Sequence, residues 1–150
     1  MPKPKDRNLI DASNLILGRM ASAIAKRLLN GETIVILNAE KALVSGKKRS
    51  KVRELKKFLE ISGPGNPKYG PFHPRRPDRI LRRTVRGMLP GHRARGKEAH
   101  RRLRVYMGVP EEYKDKPVVT LREAAARPRG VYTPLGELTR EIGWKPVGES

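Results

Sequence analysis

The residue types that could do chemistry in this chain are mostly cationic. The chain carries 34 Lys and Arg against 15 Asp and Glu, a formal net charge of +19 over 150 residues. Such a surplus destabilises a compact protein through self-repulsion, and it is the usual electrostatic signature of phosphate binding. A charge run is often only a solvated surface, but a surplus of this size favours a polyanionic partner.

The cations are concentrated in residues 45–104, which we call the basic segment. It contains 20 basic and 4 acidic residues, a net of +16, whereas residues 1–44 have 7 and 4 and residues 105–150 have 7 of each. A surface charged only for solubility would spread its cations more evenly. The distribution therefore predicts a binding face within the basic segment.

One part of the basic segment, from Asp78 to Leu89, predicts a helix with two unlike faces. Asp78 is a suitable N-cap. At 100° per residue the arginines fall on one side of the helix. The other side is mainly apolar, and we expect it to face the core. Because like charges at these spacings repel when unpaired, the arginine face favours a bound polyanion over a merely solvated surface. The arginines are Arg79, Arg82, Arg83 and Arg86, and the opposite residues are Ile80, Leu81, Thr84, Val85, Met88 and Leu89.

Immediately before this helix lies a stretch from Gly63 to Pro77, which we call the proline-rich loop. Its 15 residues, GPGNPKYGPFHPRRP, include five prolines and three glycines, which forbid regular structure. Loops this long are usually functional or disordered. Its cations and aromatics suit phosphate pairing and stacking on RNA bases, and we expect a basic, extended loop that follows the RNA surface. The alternative is a flexible insert without a function, and even such an insert could become ordered upon RNA. The cationic and aromatic side chains are Lys68, Tyr69, Phe72, His73, Arg75 and Arg76.

Other chemistries find little support. Gly91 to Lys97, GHRARGK, nearly matches a phosphate-binding P-loop, but Glu98 stands where the loop needs Ser or Thr for Mg²⁺. The three histidines have no second ligand at i+3 or i+4, and the absence of cysteine excludes disulfides and thiolate chemistry. We therefore predict no enzyme activity, no cofactor, no metal and no small-molecule substrate, and keep a nucleotide-dependent enzyme only as an alternative.

The first third of the chain predicts the scaffold that positions these groups. Asn8 to Asp11 is a short strand candidate, Leu17 to Asn30 has helical apolar spacing, and Thr33 to Leu37 is a β-branched run typical of a buried strand. Together they predict a right-handed βαβ unit with a parallel pair. A further helix is expected from about Ser50, with the apolar stripe Val52, Leu55 and Leu59.

The last third predicts three or four further elements. Leu103 to Val109 is a strand candidate, and Pro117 to Thr120 is a strand or sheet edge. A capping-box pattern at Thr120 and Glu123 predicts a short helix. Thr133-Pro134 is expected to begin the final helix, with Trp144 against the core and the stripe Leu135, Leu138 and Ile142. With no membrane-length apolar stretch and no signal peptide, we expect one soluble, intracellular domain over residues 1–150.

Several of these segments together resemble the ribosomal protein L13 (uL13) family of the large subunit. The matching stretches are DASNLILGRMASAIAKRLLNG, IVILNAEKALVSGKK and RRTVRGMLPGHRARGKEAHRRLRVYMGVP, in this order along the chain. Their form is similar to the archaeal and eukaryotic branch. The chain departs from the bacterial pattern by lacking a longer N-terminal lead-in, and Gly91-His92 is a variant of the branch's usual loop.

The resemblance implies a three-layer α/β/α fold around a parallel sheet of about four strands. It also implies a structural constituent of the large ribosomal subunit that binds large-subunit rRNA, supports assembly, contacts neighbouring ribosomal proteins and is cytoplasmic. A role off the ribosome, regulating particular messenger RNAs, is the alternative, because the same basic surface would serve it. By position, the matching basic residues are Lys47, Lys48, Lys51, Arg82, Arg83, Arg86, Arg93, Arg95, Lys97, Arg101 and Arg102. Eight further RNA-binding candidates follow from their charge, their capacity for stacking or their place on a helix, and not from the resemblance. They are Arg49, Lys68, Tyr69, His73, Arg75, Arg76, Arg79 and His92.

Overall fold

A computed structural model of the chain describes residues 8–148, beginning with the expected βαβ unit. Strand β1 is Asn8–Asp11, helix α1 is Leu17–Leu29 and strand β2 is Ile34–Leu37. The two strands pair in parallel, as predicted. All four residues of β2 are buried, which explains its continuous apolar sequence.

The main sheet has three strands among the described residues, where about four were expected. Strand β4, Leu103–Val105, pairs in parallel with the other side of β2, so the order is β1-β2-β4. Beyond β1 the predicted fourth strand is reduced to one parallel bridge, in which the Val119 N–H donates to the Leu9 carbonyl over 2.8 Å. Val119 remains 46% exposed, so longer pairing there would bury little apolar surface.

A second, two-stranded sheet is not indicated by the sequence. Strand β3, Leu43–Ser45, pairs antiparallel with strand β5, Tyr132–Pro134. Three-residue strands are too short to show an alternating pattern, and Thr133-Pro134 instead has the form of a helix start. That helix, α5, begins one residue later and spans Leu135–Glu141.

Two helices of the basic segment begin earlier than the sequence suggests. Helix α2 spans Lys48–Glu60 and contains no buried residue, so its predicted apolar stripe is only half-covered. Helix α3 spans Pro77–Gly87 and has Arg76 at its N-cap. The prediction of Asp78 as the cap was wrong, because Pro77 takes the first helical position, where its missing N–H costs nothing.

A third helix, α4, replaces much of the predicted loop between Gly91 and Lys97. It spans Ala94–Arg101, so Arg95 and Lys97 are helical residues. Its close fit against the preceding turn depends on Gly96, because a Cβ there would lie 2.1 Å from the Pro90 carbonyl oxygen. The glycine that makes this stretch look like a P-loop therefore lets α4 fit closely against the turn that precedes it.

The buried core lies on both faces of the main sheet. On one face, Ile10, Ile34 and Ile36 join a large cluster that includes residues of α1, α3, α4 and α5. On the other face, Val35 and Leu37 pack with a small cluster that includes Tyr113 and contains no α-helical residue. The structure is thus a mixed α/β fold, and its helices cover one face of the parallel sheet.

The region after β4 is less regular than predicted. The expected capping-box helix is only a 3₁₀ turn, Arg122–Ala124, because the chain instead pairs with the residues just before α1 through Ala125 and Leu15. Trp144 follows α5 and is half-buried. Within residues 8–148, no helix is long and apolar enough to cross a membrane.

Candidate nucleic-acid interface

Helix α3 presents three unpaired arginines to solvent. Arg79, Arg82 and Arg86 are exposed, and none of their side chains forms a hydrogen bond or ion pair within residues 8–148. Leu81 and Val85 are buried on the opposite side, so the predicted division of the helix is correct at these positions. Met88 was wrongly assigned to the core and is 44% exposed, because the helix ends at Gly87.

Arg83 behaves differently from the other arginines of α3. Its Nη1 donates a hydrogen bond to the Phe72 carbonyl oxygen over 2.8 Å, and its guanidinium lies 4.8 Å from the centre of the Phe58 ring. One guanidinium therefore joins α3 to the proline-rich loop and to α2. This arginine therefore holds the loop in place, a contact that the helical pattern does not predict.

The proline-rich loop has two further internal attachments. His73 Nε2 lies 2.6 Å from the Ile61 carbonyl oxygen, and the imidazole meets the Phe58 ring edge-on at a centroid distance of 4.6 Å. Gly63 and Gly70 are in close contact, since a Cβ on Gly63 would lie 3.1 Å from the Gly70 Cα. These contacts return the loop to α2 and α3 and expose the ring of Tyr69, which belongs to the 3₁₀ turn at its tip.

A cleft of about 850 Å³ separates this loop from α3. Pro71, Phe72, His73 and Pro74 line it on the loop side. Cationic side chains line the helix side, and no carboxylate of residues 8–148 lines it at all. The positive residues of this wall are Arg79, Arg82, Arg83 and Arg86.

His100 of α4 also borders the cleft and brings the third helix of the basic segment into it. Burial lowers the pKa of His100, and the nearby charges of Arg82 and Arg86 lower it further. A hydrogen bond to the Arg82 backbone opposes this shift in pKa. The imidazole is therefore biased toward its neutral form by the same arginines that make the cleft positive.

Three of the predicted RNA-binding cations have carboxylate partners. Lys48 Nζ lies 3.3 Å from Glu141 of α5, Lys51 Nζ lies 3.0 Å from Glu54, and Arg76 Nε lies 3.2 Å from Asp78. Exposed pairs of this kind contribute at most about 1 kcal/mol each. A phosphate could replace these partners at small cost.

Two other predicted cations bind the backbone at the end of α1. Arg102 Nη2 donates to the Leu28 carbonyl oxygen over 2.8 Å, and Arg95 Nη2 donates to the Leu29 carbonyl oxygen over 3.3 Å. Helix carbonyls at this end have no intrahelical donor and carry partial negative charge. These arginines therefore have a structural use that charge counting does not distinguish from RNA binding.

The remaining predicted residues are exposed or half-buried, and they do not all gather at the cleft. Lys47 and Arg49 lie at the start of α2, and Arg75 lies beside Gly143, after α5. Near Tyr69, the Lys68 ammonium is 6.0 Å from the ring centre. The others belong to α4 or to the turn that precedes it: His92, Arg93, Lys97 and Arg101.

Two groups of surface cations were not predicted from the sequence. Arg104 is exposed on β4 and shares a small cavity with Arg79 and Arg82. The buried Leu103 beside it is the alternation signal that could have found it. A second groove, beside α1, contains Arg19, Lys26 and Arg122 and lies outside the basic segment. No feature of charge density along the chain indicates it.

The described residues contain no cluster of three or more His, Asp or Glu side chains placed to hold a metal ion. The arrangement instead suits binding of a polyanion backbone: exposed guanidiniums on a rigid helix, beside a loop with exposed aromatic rings.

Comparison with known proteins gives a consistent result. The family model described as ribosomal protein L13 matches residues 5–112. The large ribosomal subunit protein uL13 of Methanosarcina barkeri is 50% identical over 140 residues, covering 91% of this chain and 98% of that protein. The uL13 proteins of Methanopyrus kandleri and Archaeoglobus fulgidus are 45% and 46% identical, over 97% and 95% of this chain and 92% and 91% of their own lengths.

Proposed function

The chain belongs to the ribosomal protein L13 family of the large ribosomal subunit, and from this premise we propose that it binds large-subunit rRNA through the cationic cleft and the helices around it. Its role is that of a structural protein of the large subunit. The relatives are ribosomal structural proteins, which supports a function without catalysis.

The exposed arginines of α3 are the main reason for assigning RNA binding to this surface. Arg79, Arg82 and Arg86 are exposed without side-chain partners among residues 8–148, whereas Arg83, between them, is engaged by the loop. Unpaired like charges held on one rigid helix repel each other, and phosphate binding removes that cost. Recognition here depends on the RNA backbone and its shape.

Charge reversal on α3 tests the proposal. In the variant with Arg79→Glu, Arg82→Glu and Arg86→Glu, we expect affinity for purified large-subunit rRNA to fall at least about tenfold at physiological salt. The slope of log affinity against log salt should become shallower by about three units, one for each lost phosphate contact.

The matched control reverses Arg127, Arg129 and Lys145, which are exposed residues outside the basic segment and outside both cationic grooves. Both triple variants change the net charge equally, so a general electrostatic effect would weaken both. Circular dichroism confirms folding of each. Equal affinity of the α3 variant and the wild-type protein would refute this surface.

The proposal also covers the extent of the domain, its location and its protein partners. We propose one L13-like domain over residues 1–150, located in the cytoplasm within the large subunit and in contact with neighbouring ribosomal proteins. The protein should remain with large subunits after a moderate salt wash, as sedimentation can establish. The regulatory role on messenger RNA remains a hypothesis, because the same cations would serve both tasks.

A further inference from the structure

The cleft between the proline-rich loop and α3 is an open groove of a size that can accommodate a ligand. Its volume of about 850 Å³ falls within the range of roughly 300–1,000 Å³ that is usual for small-molecule sites. A flat phosphate-binding surface would not require such a concavity. The concavity gives a bound group two walls to contact, one from the loop and one from α3.

The two walls of the cleft differ in chemistry. The loop wall is mainly apolar: Pro71, Phe72 and Pro74 form it together with the His73 imidazole, which is engaged by Ile61 and Phe58. The guanidiniums of α3 form a cationic wall. A nucleotide has the same division, with a flat base that stacks on aromatic rings and a charged phosphate beside it. A bound nucleotide could therefore place its base against the loop wall and its phosphate against the arginines of α3 at the same time.

The exposure of Phe72 is a second observation that points to a base. Its side chain is 79% exposed, yet its carbonyl oxygen is held by Arg83 over 2.8 Å. The next residue, His73, is attached to Ile61 and Phe58. An aromatic ring that is presented by an anchored backbone is preorganised for binding, which lowers the ordering cost when a ligand arrives.

A fully paired RNA helix would use only one of these walls. Its phosphates could meet the arginines, but its bases are stacked within the helix and cannot reach Phe72. An unpaired nucleotide can leave the stack and use both walls. An acidic peptide is the other polyanion to consider, and its carboxylates offer no flat face for the ring.

We propose that this cleft binds one unpaired RNA nucleotide, with its base stacked on Phe72 and its neighbouring phosphates bound by Arg79, Arg82 and Arg86. The inference rests on the proposed function, since it specifies which element of an RNA the cationic surface selects. In this arrangement Arg83 is a positioning residue that holds the apolar wall against α3.

The test compares two RNA hairpins that differ only by one bulged nucleotide. With the full-length protein at physiological salt, we expect the bulged hairpin to bind about tenfold more tightly than the fully paired one. A bulged 2-aminopurine should lose fluorescence on binding because its base becomes stacked. Phe72→Ala should abolish the preference and the fluorescence change, while affinity for the paired hairpin stays within about twofold of wild type.

Tyr69→Ala is the matched control, because Tyr69 is similarly exposed, at 82%, in the same loop but does not line the cleft. It should retain the preference for the bulge. Equal binding of the two hairpins by the wild-type protein would overturn the proposal, as would a Phe72→Ala variant that keeps the preference. Displacement of the bulged hairpin by a poly-glutamate peptide at equal concentration would identify an acidic protein segment instead. Failure to bind either hairpin, with no salt dependence, would instead count against the proposed function itself.

Discussion

The guanidinium of Arg102 donates a hydrogen bond over 2.8 Å to the carbonyl oxygen of Leu28, in the last turn of α1. The two residues are 74 positions apart in the chain. Part of the basic segment thus stabilises the N-terminal βαβ unit, and its cations divide into those that hold the fold and those available to a ligand.

Replacing Arg102 should therefore lower stability. We expect Arg102→Ala to reduce the free energy of unfolding by about 1 kcal/mol, the usual net value of such a hydrogen bond. Urea denaturation measures the change. Arg101→Ala is the control, because Arg101 is exposed and its side chain has no partner among residues 8–148. Equal loss in the two variants would show that the bond to Leu28 contributes nothing.

Arg83 should control the order of the proline-rich loop. In Arg83→Ala the Phe72 carbonyl loses its hydrogen-bond donor and the Phe58 ring loses its cation, so local opening becomes more frequent. Trypsin should then cut after Lys68 and Arg75 at least about fivefold faster, as mass spectrometry of timed samples can follow. Arg83→Lys should not restore resistance, because an ammonium lacks the planar fork.

The control for this experiment is Arg79→Ala, which removes the same charge from the same helix without touching the loop. Cleavage of that variant should match the wild-type rate. If both variants were cut equally fast, the loss of charge would explain the effect and the tether would not.

Gly96 should be intolerant of a side chain. A Cβ at this position would lie 2.1 Å from the Pro90 carbonyl oxygen, so Gly96→Ala must move α4 or the preceding turn. We expect a loss of about 2 kcal/mol in the free energy of unfolding, within the range for overpacking. Gly87→Ala, at the end of α3, should be neutral or slightly stabilising, because a Cβ there would meet no atom within 4 Å. Thermal denaturation of the pair tests the contrast.

His100 should make stability depend on pH in mildly acidic solution. Burial, Arg82 and Arg86 lower its pKa in the folded protein, so below about pH 6.5 the unfolded chain binds more protons than the folded one. The contribution of His100 is therefore present above the unfolded pKa and is lost as the pH falls through the folded pKa. His100→Gln should flatten the pH dependence of the free energy of unfolding over that window. An unchanged slope would contradict this assignment.

Asp11 should also make stability depend on pH, but in a more acidic range than His100. Burial by itself would raise the pKa of Asp11, but hydrogen bonds from the Ser13 backbone and the Asn38 side chain outweigh burial and lower it. Its contribution is present above the ordinary pKa of 3.8 and is lost only in stronger acid. Measurements above about pH 5 therefore report His100 without interference from this carboxylate.

The sequence predicted the arginine face of α3 because helical periodicity assigns every residue to a side. It could not predict that Arg83 would also bind the proline-rich loop and α2, since its partners Phe72 and Phe58 come from other elements. The same limit explains Arg95 and Arg102, whose partners lie in α1. The sequence does not distinguish an arginine that binds RNA from one that binds the carbonyl groups at a helix end.

What the sequence alone determined is the βαβ start, the family resemblance and the concentration of cations in residues 45–104, because periodicity, motif order and charge are local properties. Tertiary structure decided the rest. It paired the short strands β3 and β5, covered one sheet face with helices, and set the proline-rich loop opposite α3 to form a cleft. Each of these depends on contacts between residues distant in the chain, for which no spacing rule exists.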